Sequence, residues 1–208
     1  MLCEVARLLL LCEVARAANT VEANPSSWAC PAGSFQAAGD PPTIAHPNFD
    51  SPATGGYQYG TIDGWTNSGG GVAVPGGVVD FHGDGNAPTH QYAFMQGVVE
   101  IKQTLTESDF QEGSLYELKF WAATRSAPSE WGTQPNDLHV TVDAVSLFSQ
   151  SSFTVGWTQF SVSFVFTALD TGPVLKFKAT CPNGGDRTTL VGAVSFISSK
   201  VCKDCTPG

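Results

Sequence analysis

From residue 98 onward the chain repeats one pattern: short runs in which apolar and polar residues alternate, cut apart by glycine and other turn formers. Val98–Leu105 sets Val99, Ile101 and Leu105 against Glu100, Lys102 and Thr104. Leu115–Arg125 sets Tyr116, Leu118, Phe120 and Ala122 against Glu117, Lys119, Trp121 and Arg125. Asp137–Val145 and Thr158–Thr167 follow suit, the latter with Phe160, Val162, Phe164 and Phe166 on one side. Val174–Thr180 offers Leu175 and Phe177, and Thr189–Ser198 offers Leu190, Val194 and Phe196. Successive side chains of an extended strand point to opposite faces, so each run predicts a strand with one buried and one wet face. Several such strands with aromatic inner faces require two sheets packed over a shared core. Gly69–Gly71, Gly76-Gly77, Gly83–Gly85, Gly113 and Asn183–Gly185 supply the turns. The expected fold is an all-β, two-sheet antiparallel β-sandwich.

Composition narrows what such a sandwich can do. The 208 residues are 42% hydrophobic, enough for a core, and only 14% charged, with a net charge of −9. An acidic chain with 10 Lys and Arg has no footprint for a phosphate backbone, so nucleic acid is not an expected partner. No run of 18 apolar residues occurs, so no membrane span is expected. Residues 1–18 carry Leu-Cys-Glu-Val-Ala-Arg twice and read as a secretory leader or an artefactual repeat. Residues 19–42 read as a loop-rich segment, 43–199 as the sandwich and 200–208 as a Cys-containing tail or linker. Past the leader, Cys30, Cys181, Cys202 and Cys205 form an even set suited to disulfides, with the pairing open. Cys202-Lys-Asp-Cys205 alone supplies half of a zinc site.

The motifs, in order, resemble a known family. His46–Pro52 resembles an opening N-x-F-D-x-P strand, and Ile62–Thr66 an I-x-G-W strand. Ala87–Gly97 leads into Ile101-Lys-Gln-Thr, and Gly113–Arg125 resembles G-x-x-Y-x-L-x-F-x-A-A-x-R. Gly184–Phe196 resembles the closing segment. Together they are similar to the galactose-binding-domain-like jelly rolls used by carbohydrate-binding modules of exported bacterial and cell-wall surface proteins. The resemblance spans residues 46 to 197 and implies a secreted module whose partner is a polysaccharide or glycan. Family members often hold a structural calcium. Here Asp50 matches the opening acid and Asp186 lies near the closing segment, but Gly192-Ala193 stands where an acidic pair is usual.

Sugar recognition needs flat rings to stack on pyranose C–H faces and planar polar groups for hydroxyls. The candidates are Trp121, Arg125 and Glu117 on one strand face, Trp131 in a polar loop, and Tyr57, Tyr59 and Gln91. Trp65 reads as core and Trp157 as a cap on the core edge. Gln91, Gln96 and Arg125 suit either a polar patch on the concave sheet or a buried network fixing loops. His82, Asp84, His90 and Asp80 read as a polar loop before a metal site. No G-x-S-x-G elbow occurs, and Glu117, Asp143 and Asp63 have no spacing that marks a catalytic pair. The leading expectation is a non-catalytic carbohydrate-binding module without a cofactor, a structural calcium being left open. A structural or adhesive unit contacting other cell-surface domains comes second, and a cyclase or hydrolase on the same fold third.

Overall fold

The computed structural model describes residues 22–23, 34–75, 87–125, 137–143, 145–151, 156–166, 172–180 and 187–204. The strands are β1 (Glu22–Ala23), β2 (Ser34–Gly39), β3 (Tyr57–Tyr59), β4 (Thr66–Asn67), β5 (Gly71–Ala73), β6 (Tyr92–Gln96) and β7 (Val99–Thr104). They continue with β8 (Leu115–Thr124), β9 (Asp137–Val142), β10 (Val145–Ser151), β11 (Thr158–Val165), β12 (Val174–Thr180) and β13 (Thr188–Asp204). The larger sheet runs β1-β11-β8-β13-β6-β5-β3, with β2 on the far end of β13; the smaller runs β10-β9-β12-β7-β4. Every strand pairing among the described residues is antiparallel. Among the described residues the one helical element is a single 3-10 turn, Glu107–Asp109, so no helix there is long and apolar enough to cross a membrane.

The alternating runs meet between the sheets. Phe120 of β8 is fully buried, with ring centroids 5.3 Å from Phe177 of the facing sheet, 5.4 Å from Phe148 and 5.5 Å from Phe160. Phe110 closes one end against Tyr116, Phe166 and Phe196. Each such side chain contributes about 1.5–3 kcal/mol over its exposed state. Trp65 lies in this core, 5.1 Å from Phe49, with its indole N–H donating to Ala45 O at 3.1 Å.

Two buried glutamines fasten the loop that enters the sandwich. Gln103 donates to Gly64 O (2.7 Å) and Ala45 O (3.0 Å) and accepts from Ala45 N (2.9 Å). Gln91 donates to Phe49 O and to Pro52 O (2.8 Å) and accepts from Thr54 N (3.1 Å). The buried amides satisfy backbone groups that sheet pairing leaves unmatched.

The structure departs from the sequence pattern where pairing, not side-chain alternation, makes the strand. The 19–42 segment, expected as loop, contains β1 and β2. β2 pairs residues 199–204 of β13, so most of the expected tail is strand. The Asp137–Val145 run breaks at Asp143 (φ 54°), and β10 returns beside β9 as a strand not anticipated. In β13 the register shifts between Gly192 and Ser195, with Ala193 at φ 48°. That bulge reverses the parity. Val191 therefore joins Val194 and Phe196 inside, whereas Leu190, expected with them, faces outward opposite Ala123.

Candidate ligand-binding face

β8 centres the outer face of the larger sheet. Trp121 lies opposite Gln159 of β11 and Gly192 of β13; Lys119 lies opposite Ser161 and Ser195; Glu117 lies opposite Ser163 and Ser198. Trp121 and Glu117 are half-buried, and the Ser161 hydroxyl donates to the Glu117 carboxylate. This zone is a short polar floor with one indole.

Toward β3 the same face becomes aromatic. Register carries the row from Ala123 through Leu190 and Phe94 to Gly71 and Tyr59, and beside it from Tyr92 through Ala73 to Tyr57. Ala73, Tyr92, Phe94, Ala123 and Leu190 form a second buried cluster, outside the main core, with Trp157 packed against it. Trp157 meets Tyr92 at 5.2 Å and 64°; Tyr59 meets Phe94 edge-on at 4.9 Å and 89°. Tyr57 and Tyr59 are T-shaped to each other at 5.9 Å and remain 46% and 49% exposed. The Tyr59 hydroxyl donates to Gln96 Oε1, which fixes the ring. A side chain at position 71 would strike Gln58 O at 2.0 Å and the Phe94 ring at 2.8 Å, so glycine there permits the close approach. Burial pushes the Tyr92 hydroxyl up to about 12.

These placements correct two expectations and restrict others. Gln91, expected to contact ligand, is only 2% exposed and spent on the 49–54 loop, as the buried-network reading foresaw. Arg125 follows the outward parity of Trp121, but at 6% exposure it is no open contact. Trp157 caps the second cluster, not the main core. Trp131, Asp186, Cys30, Cys181, Cys205, Asp80, His82 and Asp84 lie outside the described residues. Cys202 falls in β13, its backbone opposite Gln36. Asp50 is exposed, 3.5 Å from the His46 ring, and His90 is also exposed. Among the described residues no three His, Cys, Asp or Glu side chains converge to hold a metal. Asp63 accepts from Ser51, Glu117 lies on the outer face of the larger sheet and Asp143 on that of the smaller. The three carboxylates are not brought together.

Sequence reasoning did not find Tyr92, Phe94 and Leu190 as constituents of this face. The available signal was the unbroken run Tyr92-Ala-Phe-Met95, buried on both sides. Such a run marks a strand covered on both faces.

No family profile matches the sequence, and no curated protein matches it significantly. A cyclase from Fischerella sp. TAU, solved in complex with 4-(1H-indol-3-yl)butan-2-one, superposes with a TM-score of 0.56 at 16% identity, covering 81% of this chain and 100% of that one. A family-61 carbohydrate-binding module in complex with β-1,4-galactotriose gives 0.48 at 11% identity, covering 76% and 98%. A family-22 xylan-binding domain from Paenibacillus barcinonensis gives 0.47 at 12% identity, covering 77% and 96%. The chain is an antiparallel two-sheet β-sandwich, and that fold is what it shares with the cyclase. At these identities the likeness is one of fold, and the site must be argued from its own residues.

Proposed function

We propose that the protein is a non-catalytic, secreted carbohydrate-binding module that holds an uncharged polysaccharide on the outer face of the larger sheet. The observation carrying this reading is the pair Tyr57 and Tyr59. Two large rings stay about half exposed, yet each has partners: Tyr57 and Tyr59 meet each other, and Tyr59 also meets Phe94 and Gln96. Exposed apolar surface that is also ordered marks a binding site more often than an accident of packing. Trp121 adds a second stacking position beyond the ring cluster, and Gln159, Ser161 and Glu117 offer hydroxyl partners beside it.

The energetics agree. A prepositioned ring loses little freedom on binding, so its contact free energy is retained. A neutral glycan brings no charge whose desolvation would oppose entry. Burial of the sugar's C–H face against each ring gives weak single-site binding that a polymer multiplies by presenting many sites. The separation of Glu117 from Asp143 on opposite outer faces supports binding without glycoside cleavage, which needs two carboxyl groups flanking one bond.

Retardation of the protein in native gels cast with galactan, xylan, arabinan or a soluble β-glucan tests the reading. At least one polymer should slow migration, and Trp121→Ala should weaken that effect. Migration unchanged in every gel would dismiss it.

A further inference from the structure

The outer face of the smaller sheet has a different chemistry. Register places Lys102 of β7 directly opposite Lys176 of β12, and Lys178 opposite Glu100. Like charges across a strand pair repel. A single carboxylate holds them there: Glu100 Oε1 is 3.4 Å from Lys102 Nζ and its Oε2 is 3.5 Å from Lys176 Nζ. Burial works to raise the Glu100 carboxyl, but the two lysines outweigh it and keep the group below the usual carboxylate range. Lys102, Lys176 and Lys178 thus meet two carboxylates on this face, Glu100 and Asp143, leaving a local excess of one positive charge in a chain of net charge −9.

Below this pair lies an open groove of about 640 Å³, lined by Thr66, Lys102, Thr104, Asp143, Val174 and Lys176. Its two ends differ. One carries the lysines beside Thr66; the other carries Thr104, Val174 and Asp143 in the next register row. Asp143 accepts from Val174 N at 3.0 Å through Oδ1, while its buried Oδ2 has no hydrogen-bond partner among the described residues. Burial raises the Asp143 carboxyl above its ordinary range.

We infer that this groove is a second ligand site, for a sugar bearing one carboxylate, with the acid on Lys102 and Lys176 and the hydroxyls toward Thr104 and Asp143. A bare anion would use only the lysine end, and a neutral sugar would leave the excess charge unmet. A long polyanion is disfavoured by the acidity of the whole chain, whereas at physiological salt a single carboxylate feels chiefly the charges within about 8 Å. The site stands apart from the aromatic face and does not depend on it.

Titration of the full chain with D-glucuronate, followed by amide NMR shifts, tests the assignment, with D-glucose and acetate as comparators. Saturable millimolar binding of glucuronate is expected, with shifts confined to β4, β7, β9 and β12. Glucose and acetate should each bind about tenfold or more weakly. Lys176→Gln or Lys102→Gln should weaken glucuronate about tenfold, Lys176→Arg should retain it, and Tyr57→Ala should leave it unchanged. Acetate binding as tightly as glucuronate would reduce the site to a simple anion contact and overturn the assignment. Equal binding of glucose, indifference to both lysine variants, or shifts mapping to the larger sheet would also overturn it.

Discussion

The two outer faces of this sandwich share one core but carry opposite chemistry. On the larger sheet the exposed rings of Tyr57 and Tyr59 rest beside the buried Phe94 and Tyr92, with half-buried Trp157 and Trp121 further along and Lys119 and Glu117 as the neighbouring charges. On the smaller sheet Lys102, Lys176, Lys178, Glu100 and Asp143 occupy the equivalent positions, with threonines between. The inner faces of both sheets are alike, because one apolar core fills them. The lesson is that packing dictates every second residue of a strand and leaves the alternate ones available for recognition. Rings held by rings need no counter-charge; opposed lysines do.

The strongest perturbation should erase the comparison. Phe120 touches rings from both sheets, so Phe120→Ala should destabilise the fold by about 3–5 kcal/mol and disable both faces together, as read by urea unfolding. Retention of wild-type stability would show that the sheets are not coupled through this residue.

Alkali should act on one face preferentially. Tyr92 ionises near 12 in the folded chain against 10.0 for the free side chain. Its contribution is therefore complete below pH 10 and is lost as pH rises toward 12, about 2–3 kcal/mol in all. Tyr92→Phe should flatten that part of the alkaline unfolding curve. An unaltered curve would mean the ring is not buried as described.

Gln91→Ala should cost about 1–3 kcal/mol, because backbone groups at Phe49, Pro52 and Thr54 lose their partner. It tests whether that glutamine is a loop fastener, since a ligand contact would leave the melting temperature unmoved.

The smallest effect concerns the charged face. The raised Asp143 carboxyl favours the fold most below the usual Asp range, and this advantage is lost as pH rises through its folded value. Asp143→Asn should therefore raise the neutral-pH melting temperature slightly, about 1–2 °C, and weaken the dependence on acid pH. A lower melting temperature would contradict the burial argument.

What the sequence disclosed follows from what each segment must bury. Strands with one wet face, such as β8, β9, β11 and β12, alternate cleanly and were legible nearly to the residue. β6 is covered on both sides, and β3 is exposed along its whole length, so neither alternates. The bulge at Ala193 shifted parity without a compositional mark, which sent Leu190 to the wrong side. Tyr57, Tyr59 and Trp121 were legible as candidates because large rings amid polar residues are conspicuous. Gln91 and Arg125 were not assignable, because a polar side chain in a strand serves a ligand or a loop equally well until burial is known. The lysine groove was invisible, since Lys102 and Lys176 are distant in sequence and meet only through the pairing of β7 with β12.

We propose that the ring-bearing face, and not the lysine-bearing one, holds a neutral polysaccharide. The direct test is the dissociation constant measured by affinity electrophoresis in the best-retarding neutral polymer. Wild type would be compared with Tyr57→Ala/Tyr59→Ala and with Lys102→Gln/Lys176→Gln. The tyrosine pair should lose at least tenfold, equivalent to about 1.4 kcal/mol, and the lysine pair should be unchanged. Undiminished retention in the tyrosine variant, or loss confined to the lysine variant, would contradict it.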